Sequence, residues 1–230
     1  MIDVTKLELK YPDGTQAIDE ISFSIGAGEN AALIGANGAG KTSLLLALVG
    51  VLQPSGGAIS VDGRKIDKRN LREIRSQVGL VFQNPDDQLF MPKILDDVAF
   101  GPRNSGCDEN EAAARAGAAL EQLGIGHLAE RSPLKLSSGE KRLAAIATVL
   151  AMNPLFLLFD EPTAFLDPRA RRNLAVTLSE LPQGKLIATH DLAFAKEICS
   201  RVLLLRKGKL VADGDQTLLD DAERLQAAGL

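Results

Sequence analysis

Ala31-Ala32-Leu33-Ile34-Gly35-Ala36-Asn37-Gly38-Ala39-Gly40-Lys41-Thr42-Ser43-Leu44-Leu45-Leu46-Ala47-Leu48 is the stretch that decides the fold. A short apolar strand, Ala31–Ile34, runs into a glycine-rich turn, which opens a helix over Ser43–Leu48. Residues Gly35 to Thr42 fit G-x-x-x-x-G-K-S/T, and the strand–turn–helix flanks are the context this pattern requires. Glycines let backbone N–H groups along Gly35–Gly40 turn inward around phosphate oxygens. Lys41 would place a point charge on β- and γ-phosphates, and the Thr42 hydroxyl can ligate Mg²⁺. The helix N-terminus at Ser43 adds a favourable field. The bland alternative is a glycine-rich connection between a strand and a helix.

Outward from this loop, short runs rich in Val, Ile, Leu and Phe predict strands at Ile2–Leu9, Ile18–Ile25, Ala58–Val61, Val78–Phe82, Leu155–Phe159, Leu186–Ala188, Val202–Leu205 and Lys209–Ala212. Helices are predicted over Lys41–Leu48, Asn110–Leu123, Gly139–Ala151, Pro168–Leu181 and Leu192–Cys199. Strands alternating with helices give an α/β fold with a mostly parallel, doubly wound sheet. The first two strands are joined by the turn-forming Tyr11-Pro12-Asp13-Gly14-Thr15, so an antiparallel β portion is expected at the N-terminus. Met91–Ser132 reads as mainly helical. With the helix that follows, it places a helical subdomain at about residues 91–152, inserted in the α/β core of a single 1–230 domain.

Composition narrows the function. The 230 residues suffice for one large domain. A net charge of −4 implies no broad nucleic-acid surface, and the absence of Trp argues against base-stacking platforms. Cys107 and Cys199 have no paired spacing, which fits a reducing cytosol. The start, Met1-Ile2-Asp3-Val4, carries an early acid and no long apolar run, so no signal peptide is expected. Apolar runs such as Leu155–Phe159 are too short to span a bilayer, and any membrane role is expected to come through a partner.

Leu155-Phe156-Leu157-Leu158-Phe159-Asp160-Glu161-Pro162 reads as a buried strand ending in two acids. Beside a phosphate loop, Asp160 can hold Mg²⁺, directly or through water. Glu161, one residue on, can orient and polarise water for in-line attack on a γ-phosphate. Pro162 ends the strand. Leu136-Ser137-Ser138-Gly139-Glu140-Lys141-Arg142 precedes a helix. Ser137 with Glu140 three residues later is the S-x-x-E capping box, and a Ser-Ser-Gly turn at a helix start is also an anion-binding surface.

The order of these features carries more than each alone: phosphate loop, Gln83, Leu136–Arg142, Asp160-Glu161, Asp167, His190. Along essentially the whole chain this order resembles the ATP-binding subunits of ABC transporters. The resemblance implies the ABC ATPase fold, a P-loop NTPase core that hydrolyses ATP with Mg²⁺. It implies that Ser137, Ser138, Gly139 and Glu140 form the signature loop, which contacts the γ-phosphate held by a second subunit. Gln83 would sense Mg²⁺ and the attacking water. Asp167 would lie in a loop crossing the dimer interface, His190 would act near the γ-phosphate, and Tyr11 would stack on adenine. Three positions depart from the family pattern. Ser138 stands where Gly is usual, Glu140 where Gln is usual, and Phe165 replaces a small residue. None of them removes a group the chemistry needs.

Gln83-Asn84-Pro85-Asp86-Asp87-Gln88-Leu89-Phe90, with Tyr11-Pro12-Asp13-Gly14 and Asp97-Val98-Ala99-Phe100-Gly101-Pro102, is similar to the ATPases of energy-coupling-factor importers, above all the cobalt and nickel type. This implies a peripheral protein on the cytoplasmic face of the cell membrane. Its expected partners are a second ABC ATPase subunit, as a homodimer, a transmembrane coupling protein and a substrate-binding membrane component, with no nucleic acid. Cobalt or nickel is the expected cargo, and a vitamin such as biotin the alternative. A non-transport ABC ATPase of the iron–sulfur assembly type stays open, whereas a small-molecule kinase would need neither Leu136–Arg142 nor His190.

Overall fold

Along the chain, strands β1 (Ile2–Lys10), β2 (Gln16–Ile25) and β3 (Asn30–Ile34) precede helix α1 (Lys41–Leu48). Strands β4 (Gly56–Val61) and β5 (Arg64–Lys65), helix α2 (Leu71–Gln77) and strand β6 (Val78–Val81) follow. Helices α3 (Ile94–Asn104), α4 (Glu109–Gln122) and α5 (Ser138–Leu150) lead to strand β7 (Phe156–Asp160) and helix α6 (Pro168–Glu180). The chain closes with β8 (Gly184–Thr189), α7 (Leu192–Ile198), β9 (Arg201–Arg206), β10 (Lys209–Asp215) and α8 (Ala222–Ala228). This computed structural model describes residues 1–230, the side chains of Ala227 and Ala228 excepted. Two compact units emerge. One comprises Met1–Leu80, Leu155–Glu161 and Pro182–Leu230, the other Val81–Pro154 and Pro162–Leu181.

The first unit is built on two sheets. The antiparallel one has the order β2-β1-β4-β5, the other β10-β9-β3-β8-β7-β6. In the second sheet β9, β3, β8 and β7 are mutually parallel, and β10 joins its edge antiparallel to β9. Every residue of β7 and β8 is buried, as expected of central parallel strands covered on both faces. Helix α1 is apolar nearly all round, and Leu44, Leu45 and Leu48 join one core with Ile2, Leu7 and Ile18 of the antiparallel sheet and Leu33, Leu158 and Leu186 of the parallel one. A helix with no polar face has to be buried in this way.

The helical unit packs α3 against α4 and α5, and α5 also against α6. Ala112, Ala116, Ala119 and Leu120 repeat at helical spacing and form the buried stripe of α4. Asp108 caps this helix by accepting from Glu111 N. Asp97 of α3 is buried, and its Oδ1 accepts Phe90 N–H and Met91 N–H, both at 2.9 Å. Burial pushes its carboxyl above the ordinary range.

Helix α1 keeps the expected span, Lys41–Leu48, and Gly40 at φ 107° turns the chain directly into it. Other boundaries differ from the sequence expectation. Strand β10 runs on to Asp215 along the full length of β9. Helices α2 and α8 were not expected. In α2 only Ile74 is buried, so its sequence carries no apolar stripe.

Candidate active site

Strand register assembles the site. Ile34 lies beside Thr189 and Asp160 beside Ala188, so the carboxyl ends of β3, β8 and β7 form one edge. The phosphate loop leaves from Ile34, Glu161 follows Asp160, and His190 follows Thr189. In a doubly wound sheet this edge is where ligands bind.

Within Gly35–Thr42 the glycines have separate tasks. A Cβ at Gly35 would stand 2.4 Å from Leu205 O, so the loop can pass this close to β9 only without a side chain. Gly38 takes φ 79° with open space around it. Lys41 is buried, and its Nζ donates to Gly35 O at 2.6 Å and Ala36 O at 3.3 Å. The same ammonium is 3.3 Å from Glu161 Oε1. A concavity of about 270 Å³ opens beside the loop, lined among others by Asn37, Gly38, Ala39, Arg206 and Lys207. A cationic, N–H-rich hollow of this kind suits a polyphosphate.

Thr42 Oγ1 donates to Asp160 Oδ2 at 2.7 Å, bringing together two hard oxygen donors, a pairing that fits Mg²⁺. Glu161 is 6% exposed and lies between two cationic or potentially cationic groups. Its Oε2 is 2.9 Å from His190 Nδ1 and also accepts His190 N–H at 3.2 Å. The backbone of Glu161 is in the left-handed region at φ 44°, where its N–H donates to Ala188 O at 2.8 Å. A non-glycine residue there is strained by about 1–2 kcal/mol, and such strain gathers at functional sites. Tyr11 Oη and Ser43 Oγ are 2.8 Å apart, which ties the tyrosine to the start of α1.

Gln83, Ser137, Ser138, Gly139, Glu140 and Asp167 all belong to the helical unit. Gln83 is exposed, and its carbonyl accepts from Arg142 Nη2 at 2.6 Å. At the start of α5 a full capping box is present. Ser137 Oγ accepts from Glu140 N, while Glu140 Oε2 accepts Ser137 N–H at 2.8 Å and the Ser137 hydroxyl at 2.7 Å. These bonds from Ser137 hold the Glu140 carboxyl below its ordinary range. Asp167 caps α6 by accepting from Ala170 N and Arg169 N, which lowers its carboxyl likewise. A Cβ at Gly139 would stand 3.1 Å from Ala170 Cβ, so α5 and α6 meet closely at their first turns. Phe165, just before Asp167, is 77% exposed and sits at φ 65°.

Sequence reading gave Arg142 and Gln88 no role, yet both are tied to the Gln83 segment. The available signal was periodicity. Arg142 occupies the buried stripe that continues through Ala145, Ile146 and Val149, where a charge must find partners.

Comparison with known proteins agrees with this fold. The family model described as ABC transporter matches residues 18–164. The energy-coupling factor transporter ATP-binding protein EcfA of Carboxydothermus hydrogenoformans is 44% identical over 232 residues, covering 100% of this chain and 86% of that one. The structure of cbiO1 from Clostridium perfringens, part of the ABC transporter complex cbiONQ, superposes with a TM-score of 0.87 at 36% identity, over 96% of this chain and 91% of that one. A dimeric ATP-binding cassette in a post-hydrolysis state with ADP and Pi superposes with a TM-score of 0.83 at 25% identity, over 94% and 99% of the two chains. Among the described residues no helix is long and apolar enough to cross a membrane. The chain belongs to the ABC transporter ATP-binding family, and it is a transport ATPase that converts ATP and water to ADP and phosphate.

Proposed function

We propose that this ATPase powers an energy-coupling-factor importer for a divalent transition metal, cobalt or nickel. The observation that carries the branch is whole-chain similarity to EcfA and cbiO1, reinforced by Gln83–Phe90 and Asp97–Pro102. The metal is the cargo, to be bound by a membrane component that a transmembrane coupling protein links to the ATPase at the cytoplasmic face of the membrane. The test is radioisotope uptake in a deletion strain supplied with either the wild-type chain or Glu161→Gln. Cobalt or nickel uptake restored by the wild type alone supports the reading. Loss of biotin uptake with metal uptake intact would move the cargo to a vitamin, and no change in either would remove transport of both.

The proposed chemistry uses two copies of the chain. Gly35–Ser43 of one copy holds the phosphates, Tyr11 covers the adenine, and Ser137–Glu140 of the other copy closes on the γ-phosphate. Asp167 lies in the loop that crosses between the copies. Thr42, Asp160 and Gln83 would hold Mg²⁺, which draws negative charge from the phosphate oxygens when bound. Phosphate oxygens compete with Glu161 for the Lys41 ammonium. As Lys41 turns to phosphate, Glu161 keeps its His190 contacts and gains an oxygen to take a proton from water. His190 holds that carboxylate in place and offers a donor towards the γ-phosphate.

A further inference from the structure

Three side chains fasten Phe82–Gln88 to helix α5, all within the helical unit. Arg142, 1% exposed, donates from Nη1 to Phe82 O at 2.7 Å and from Nη2 to Gln83 O at 2.6 Å. Gln88 donates from Nε2 to Ala145 O at 2.9 Å and Thr148 Oγ1 at 2.7 Å, and its Oε1 accepts Phe82 N–H at 3.1 Å. Lys141 Nζ meets Asp86 Oδ1 at 2.6 Å on the surface, where an ion pair contributes little. The first two are different in kind. A planar guanidinium holding two consecutive carbonyls fixes both peptide planes, and charge-assisted bonds of this sort are the strong ones. The direction in which the Gln83 side chain leaves the backbone is therefore set from α5.

We infer that Arg142 is a positioning residue. It fixes Gln83, and with Gln88 it makes Gln83 and Ser137–Gly139 one rigid piece. This rests on the roles proposed above for Gln83 and Ser137–Gly139. Under those roles Gln83 answers to the nucleotide on its own chain, and Ser137–Gly139 to the nucleotide on the partner copy. A rigid link between them transmits the occupancy of one nucleotide to the other, which is a coupling between sites and produces positive cooperativity.

The test is phosphate release against ATP concentration, with nucleotide affinity measured separately, on the full chain. The wild type should show a Hill coefficient above 1. Arg142→Met keeps the apolar stem and removes both donors. It should lower kcat about ten-fold or more, since small misplacements at an active site cost that much. The Hill coefficient should fall below the wild-type value, because Gln83 and Ser137–Gly139 then move separately, leaving only the coupling that comes from association of the two copies. Nucleotide Kd should stay within about two-fold, because the phosphate loop is untouched. Arg142→Lys, which can serve one carbonyl at a time, should recover part of kcat. Where Arg142→Met fails to fold, Gln88→Met carries the test, and its Hill coefficient should fall in the same way. Wild-type kcat and Hill coefficient in the folded variant overturn the inference. So does a non-cooperative wild type, or a Kd that worsens in step with kcat. Gln83→Ala separates this from the underlying reading. If Gln83→Ala turns over normally, the role of Gln83 fails. If it is slow while Arg142→Met is not, only the link fails. In the double variant, Arg142→Met should add less than it does alone.

Discussion

At the sheet edge Lys41, Asp160 and Glu161 are at most 7% exposed, and each is bonded to a group from a distant stretch of the chain. At the first turns of α5 and α6 the side chains of Ser137 and Asp167 are exposed and held only by local caps. The first arrangement is preorganised for chemistry within one chain. In the second, each exposed helix start is closed by bonds within its own first turn. A buried cluster should therefore fail through rate, and an exposed cap through association and stability.

Glu161→Gln tests the buried side most severely. Hydrolysis should drop by about 10²-fold or more, since a positioned base contributes on that scale, with nucleotide affinity retained. In this slow variant MgATP should also double the mass seen by light scattering. Near-normal turnover would break the contrast between the two regions.

Glu140→Gln sharpens the exposed side. The Glu140 carboxylate takes up the Ser137 hydroxyl and adds a negative charge where a phosphate should dock. Within the Glu161→Gln background, replacing it by Gln should tighten MgATP-driven association about three-fold, less so at high salt. An unchanged or weaker association would show that the cap does not meet a phosphate.

Ser137→Ala removes the capping hydroxyl and should cost about 1 kcal/mol in denaturant melts. The pH dependence has a definite sign. Glu140 is held low by Ser137, so its contribution is complete above the unfolded carboxylate value of about 4.3 and is lost as pH falls through the lower folded value. The gap between wild type and Ser137→Ala should shrink at acid pH, and a constant gap would contradict the box. The smallest effect is expected of Phe165→Gly. Relief of the left-handed backbone slightly exceeds the entropy that glycine adds to the unfolded chain, for a gain of about 0.5 kcal/mol. A loss would show that the ring packs on more than its exposure suggests.

Local features were legible in the sequence and distant pairings were not. Gly35–Thr42 declares itself because glycine spacing and its flanks are contiguous, and the box at Ser137–Glu140 because a helix start is a four-residue affair. Asp160 and Glu161 could be assigned roles, but the approach of His190 to Glu161 depends on the register of β7 against β8, which no single stretch encodes. The resemblance to ABC ATPases supplied His190, Gln83 and Tyr11, whose residue types alone are ambiguous. Helix α2 was missed because one buried residue leaves no periodicity to read. The task of Arg142 depends on two backbone carbonyls about 60 positions away along the chain.

The chain contains one tyrosine and no tryptophan. That tyrosine is Tyr11, bonded through its hydroxyl to Ser43 at the first turn after the phosphate loop. Excited beyond the absorption of its eight phenylalanines, the protein therefore emits from a single ring, held beside the phosphate loop. Anything that breaks the bond to Ser43 or stacks on the ring alters that emission with no competing background. Without a label, the protein carries its own optical probe at this one position.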